Sequence, residues 1–156
     1  MQVIEARKIR LGPDHEDTLN SISTLASTMD GQGRFSEAEE LHVQVVRGMR
    51  AKVGIDNHLA LIYRANLAQT FASQGRLADA EKEMVLVLEG FKTKLGPEHP
   101  NTIRVMVLVA KIWKDLGRHD EAIALMKDCD ERSKRFLGPS HRITRHSFAA
   151  LEEWSA

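Results

Sequence analysis

Leu95-Gly96-Pro97-Glu98-His99-Pro100-Asn101-Thr102 decides how this chain folds. Glycine accepts the left-handed backbone at a helix C-terminus, and proline commonly follows where a helix has stopped, so Gly96-Pro97 reads as punctuation between two helices. The same punctuation recurs. Leu11-Gly12-Pro13-Asp14-His15, Val53-Gly54-Ile55-Asp56-Asn57 and Leu137-Gly138-Pro139-Ser140-His141 place their first residues at 11, 53 and 137, so with 95 the four copies lie 42 residues apart. Gly33-Arg34, Gly75-Arg76 and Gly117-Arg118 form a second series with the same spacing. Seven of the ten glycines therefore fall at two positions of a 42-residue unit, and the chain is a repeat array.

Two helical segments, A and B, lie between successive breaks. In the first copy of A, Leu19, Ile22, Leu25, Ala26 and Met29 recur at helical spacing. In B, Ala38, Leu41, Val45, Met49 and Val53 do the same. Ser36 with Glu39 has capping-box spacing, and Glu37, Asp79 and Glu121 place an acid in the first turn of each B helix. Lys8, Arg50, Lys92 and Lys134 share one position near the B-helix C-terminus, where dipole compensation on a solvated face explains them better than a binding ladder.

The whole-chain numbers agree with a soluble helical protein. The 156 residues carry 22 Lys+Arg and 22 Asp+Glu, leaving no net field to attract nucleic acid or anionic lipid. That neutrality is a sum of unequal parts, since 12–53 hold four basic and seven acidic residues while 96–137 hold eight and seven. The longest apolar run, Val105 to Ala110, is far short of the roughly 20 residues that span a bilayer. The opening MQVIEARKIR has no signal-peptide core, and the one cysteine, Cys129, has no internal partner, so a reducing, cytoplasmic setting is expected.

Small residues identify the repeat type. Leu25-Ala26, Leu67-Ala68 and Val109-Ala110 are each followed three residues later by a bulky plug, Met29, Phe71 or Trp113, and Ala38, Ala80 and Ala122 follow the Gly-Arg turns. Small residues at both places let A and B of one hairpin approach closely. This pattern resembles the tetratricopeptide repeat (TPR), and the 42-residue unit with its L-G-P-x-H-P-x-T connection is similar to the kinesin light chain type. Residues 117–154 also resemble the terminal repeats of fungal NACHT or NB-ARC receptor-like proteins, whose nucleotide-binding motif G-x-x-x-x-G-K-[ST] this sequence lacks. The resemblance implies an all-α fold, a right-handed superhelical solenoid of antiparallel helix hairpins, and a non-catalytic scaffold for a protein or peptide partner. The connection 53–58 lacks both prolines of the pattern, which predicts a less rigid junction.

Continuing the register divides the chain into 1–11, the tail of a B helix whose A helix is missing; repeats 12–53, 54–95 and 96–137; and a capping helix in 138–156. In the cap, Phe148 and Leu151 are expected to face inward, while Glu152 and Ser155 replace the small and plug residues. Val3 and Ile4 are expected to lack a covering helix, which predicts weak self-association through that edge.

No constellation for catalysis, cofactor or metal emerges. His15, His99 and His141 occupy equivalent connections at least one hairpin apart and cannot converge on one metal; each is expected to cap or pack its own turn, with His58 serving one residue later in its connection. His42, His119 and His146 have no acid or thiol at useful sequence spacing, and Cys129 aligns with the inward Val45 and Val87. In tetratricopeptide arrays the A helices line the concave groove. Carried over by position, the resemblance implies a partner-binding groove of Asn20, Ser23, Thr24 and Ser27; Ala65, Asn66 and Gln69; and Arg104, Leu108 and Lys111. Asn66, just before Leu67-Ala68, matches the asparagine that holds peptide backbone in kinesin light chains, and Arg104 with Lys111 suits a carboxylate. Neither nucleic acid nor membrane is an expected partner.

Overall fold

The computed structural model of the protein describes residues 2–54 and 57–155, with nothing described of the Ser155 side chain. Its elements are helices: α1 (Gln2–Leu11), α2 (Glu16–Gly31), α3 (Phe35–Val53), α4 (His58–Ser73), α5 (Leu77–Leu95), α6 (Pro100–Asp115), α7 (His119–Phe136) and α8 (Arg142–Ser155). No strand occurs among the described residues. The helices group into two compact units, Met1–Ala80 and Glu81–Ala156, with the division inside α5. In the first unit α1 packs on α2, α2 on α3 and α3 on α4; in the second α6 packs on α7, and α8 on both.

Backbone geometry follows the punctuation. The seven glycines of the two 42-spaced series all have positive φ, and no described non-glycine residue does. At Gly96 (φ 87°) and Gly117 (φ 81°) a side chain would be strained, so the chain reverses there without loss only as glycine. After the first series the next A helix is started by a side chain. His15, His99 and His141 each accept, through Nδ1, the backbone N–H two residues on (Asp17, Asn101, Ile143), at 3.2, 3.1 and 3.2 Å. The fourth connection departs from the expectation for His58: Asn57, the true positional equivalent, accepts from the N–H of Leu59 at 2.9 Å, and His58 is the exposed first residue of α4. The remainder of that junction, Ile55 and Asp56, lies outside the described residues. Thr102 and Thr144 close their connections by donating to the carbonyls of Gly96 (2.7 Å) and Gly138 (2.8 Å).

The capping box expected at Ser36 does not form. Arg34 is the cap residue of α3 and makes no side-chain cap bond, while Glu39 accepts instead from Gln74 (2.8 Å) and Arg76 (2.9 Å). The Arg of each Gly-Arg turn is the unforeseen element. Arg34 pairs with Glu37; Arg76 pairs with Asp79 and Glu39 and lies 4.3 Å over the Phe71 ring; Arg118 pairs with Glu121 and Glu81 and lies 4.6 Å over Trp113. Phe71 and Trp113 are therefore half-buried platforms for an arginine rather than buried plugs, and the Trp113 indole N–H donates to Glu81 at 2.7 Å.

Ala26, Ala38, Ala68, Ala80, Ala110 and Ala122 are fully buried, as close helix approach requires. In the first unit Leu19, Ile22, Val45 and Met49 pack together with Tyr63 and with Ile4, which is buried against α2; of the two α1 residues expected to be bare only Val3, 62% exposed, is so. Phe148 also departs from expectation, being 46% exposed. Its positional equivalent Ile22 shares a buried cluster with Val45 and Met49 of α3, the helix that follows α2, whereas Phe148 meets Lys134 of the preceding α7, whose ammonium lies 5.1 Å over its ring, and no described helix follows α8. The same geometry leaves Glu152 exposed where Ala26, Ala68 and Ala110 are buried.

Candidate binding faces

The expected groove residues fall on α2 and α4 of the first unit and on α6 of the second, and the two sets differ in chemistry. In the first unit Asn20, Thr24, Ser27 and Gln69 are exposed, but Ser23 and Ala65 are buried and do not line a surface. The hydroxyls are partly spent on their own helix: Thr24 donates to the Asn20 carbonyl at 2.9 Å and Ser27 to that of Ser23 at 3.1 Å. Half-buried Asn66 ties α4 to α2 by donating from Nδ2 to Ser23 Oγ at 3.3 Å. One amide proton and the side-chain carbonyl remain for a partner.

In the second unit Arg104, Leu108 and Lys111 are all half-buried on α6. Two residues outside the expected groove, Arg142 and His146, lie on α8, which packs against α6. Burial holds the Arg104 guanidinium below its ordinary pKa, and the Arg142 charge adds to that; burial likewise lowers His146, with Lys111 and Arg142 adding to it. His146 stands 42 residues after Arg104, at the same repeat position, so the periodicity contains this relation, although neither residue has an acidic neighbour at sequence spacing to mark it.

Other titratable groups serve the fold. Cys129 is fully buried, and burial, with the Asp128 charge next, pushes its thiol up to about 12, so no nucleophilic thiolate exists near neutral pH. His42 is fully buried against Asp30 of the neighbouring helix, 3.7 Å away, an acidic neighbour that sequence spacing concealed. Lys8, Lys92 and Lys134 of the basic series pair with Glu5, Glu89 and Asp130 on their own helices. Among the described residues no cluster of three His, Cys, Asp or Glu side chains could hold a metal, and no helix is long and apolar enough to cross a membrane. At the edge of α1 an open concavity of about 400 Å³ is lined by Val3, Ala6, Arg7, Arg10, Leu11 and Asp17.

Comparison with known proteins agrees with this architecture. Two tetratricopeptide repeat profiles match the chain, one over residues 58–129 and the other over 18–60. None of the curated proteins matches. Among solved structures, nearly identical TPR-like repeats of kinesin light chain type from Podosopora anserina superpose with a TM-score of 0.78 at 23% identity, covering 98% of this chain and 72% of that one. BtubC (BKLC) from P. vanneervenii gives 0.80 at 20% identity, covering 97% of this chain and 61% of that one. The Sgt2 TPR domain from Aspergillus fumigatus gives 0.60 at 12% identity, covering 86% and 77%. At these identities the likeness is one of fold. With the repeat profiles spanning 18–129 and the helix hairpins in place, the chain belongs to the tetratricopeptide repeat family, whose repeats are typically non-catalytic scaffolds for protein interaction.

Proposed function

We propose that this protein is a non-catalytic, cytoplasmic scaffold that holds an extended peptide or protein segment on the free faces of its A helices. The observation that carries this reading is Asn66, half-buried, with a donor and an acceptor left over, on helices α4 and α2 that also expose the amides of Gln69 and Asn20. An amide so placed can accept from and donate to one peptide unit of a bound strand. Of the three hairpins 12–53, 54–95 and 96–137 only the second carries an amide at this position; Thr24 and Leu108 stand there in the others, so their A helices would add contacts of a different kind.

A peptide-display screen tests the reading, followed by Asn66→Ala and Arg104→Glu against every binder found. Loss of binding by either variant supports it. Retained binding in both, with loss on substituting exposed B-helix residues such as Val43 and Leu86, overturns it. A second contact surface, between copies of the chain, is supported by bare Val3 beside the α1 concavity. The resemblance of residues 117–154 to receptor-like proteins supports one further context, a ligand-sensing or oligomerisation array at the C-terminus of a NACHT or NB-ARC type NTPase; a full-length gene encoding no nucleotide-binding region would dismiss it.

A further inference from the structure

Several cations of the second unit have acidic partners. Lys92 pairs with Glu89, Lys114 with Glu153 and the Trp154 ring, Arg118 with Glu81 and Glu121, Arg132 with Asp128 and Glu98, and Lys134 with Asp130 and the Phe148 ring. Among the cations without one, Arg104, Lys111, Arg142 and His146 fall on two helices that pack together: α6 carries the first two, two turns apart on one face, and the adjoining α8 carries the others one turn apart, with His146 at the repeat position of Arg104. None of the four has a carboxylate partner among the described residues. Arg104 is half-buried, so water screens it incompletely, and the charge of Arg142 adds to the burial that disfavours its charged form. Like charges brought together under partial desolvation repel, and a bound anion relieves that repulsion.

We propose that Arg104, Lys111, Arg142 and His146 form a site for a phosphate monoester carried on the bound polypeptide segment. The charge count selects the ligand class. Three permanent positive charges, with a fourth when His146 is protonated, exceed what one carboxylate neutralises, whereas a phosphate monoester brings about −1.5 to −2 near neutral pH with three acceptor oxygens. Two guanidinium forks suit those oxygens, since each can donate a parallel pair of hydrogen bonds. The groups around His146 are cationic on α6 (Lys111) and on its own helix (Arg142); α7 meets α8 through Asp130, which accepts from Ser147 and Lys134, and through Lys134 over Phe148. A phosphate dianion there favours the imidazolium, so binding takes up a proton.

The proposal refines the A-helix binding reading and rests on it only for the polypeptide carrier. The test titrates the intact chain, followed by amide and imidazole NMR at constant ionic strength, with blocked phosphoserine, inorganic phosphate and blocked glutamate. Expected are saturating shifts confined to α6 and α8, a rise in the His146 pKa, and binding of blocked phosphoserine at least tenfold tighter than blocked glutamate. Arg142→Gln, at an exposed position, should weaken it at least fivefold, while Asn66→Ala leaves it unchanged. Equal affinity for glutamate, non-saturating shifts, or indifference to Arg142→Gln would overturn the site. Binding of inorganic phosphate with exclusion of blocked phosphoserine would overturn the polypeptide carrier. Failure of the peptide screen leaves this titration untouched, so the two readings fail separately.

Discussion

Replacing His42 by methionine should stabilise the protein, and by an amount that depends on pH. The equivalent residues of the next two repeats, Met84 and Met126, are fully buried, as His42 is, so the site accepts a methionine by its position in the fold. Neither ring nitrogen of His42 has a hydrogen-bond partner, and Asp30 Oδ2, 3.7 Å from Nε2, is already engaged by the Thr70 hydroxyl at 2.6 Å. A buried polar atom without a partner costs about 1–3 kcal/mol, so His42→Met should gain about that much at pH 7.5, where the imidazole is neutral in both states. Burial lowers the folded-state pKa of His42 from its ordinary 6.5, and the Asp30 charge opposes this only in part. Below pH 6.5 the unfolded chain therefore binds a proton that the folded one resists, and stability falls as pH falls. The slope is about 1.4 kcal/mol per pH unit down to the folded-state pKa, so the gap between variant and wild type should widen by up to that amount at pH 5.5. Other titrating groups are common to both proteins and cancel in the difference. Urea or thermal unfolding of the pair at the two pH values measures it, with about 2–4 °C of melting temperature for each kcal/mol. A gap that narrows on acidification would show that His42 and Asp30 form an ion pair, and would refute the reasoning.

Substitutions at three other positions probe the repeat logic and the α1 edge. Ala68→Glu puts under a packed helix the residue that is exposed at 152, and should cost several kcal/mol; an unchanged melting temperature would sink the alignment of the two positions. His99→Ala removes the acceptor for the Asn101 N–H and should cost about 1 kcal/mol, whereas His99→Asn should be nearly neutral because Asn57 already makes that bond in its own connection. If both variants melt alike, the imidazole contributes by packing instead. Light scattering at high concentration should show weak association of the wild type that Val3→Glu removes, and a strict monomer in both cases would discard the α1 edge as an interface.

What was legible in the sequence is what repeats. The punctuating glycines, the capping histidines and the paired alanines each recur at fixed positions of the 42-residue unit, and one backbone requirement explains each kind: a left-handed turn, an acceptor for an unpaired N–H, a close helix crossing. The misreadings share a different cause. Ser36 with Glu39 has the spacing of a capping box, but Glu39 answers to Gln74 and Arg76 more than thirty residues on, and spacing along one helix carries no information about that competition. Phe148 looked inward because its equivalent Ile22 is buried, yet burial at that position is conferred by a neighbouring helix and not by the residue's own. His146 fell outside notice for the same reason, since its character comes from Lys111 on α6 together with Arg142 on its own helix.

Periodicity fixes what a repeat must do for its own backbone, while positions that depart from the repeat report on tertiary neighbours. His42 among methionines and Arg104, Lys111, Arg142 and His146 without acids are departures of this second kind. In the first case the neighbour is Asp30, and the departure burdens stability. In the second no described residue supplies the counter-charge, which is why the proposed site looks to a bound anion for it, whereas in the first the cost is borne by the fold and shows as a dependence on pH.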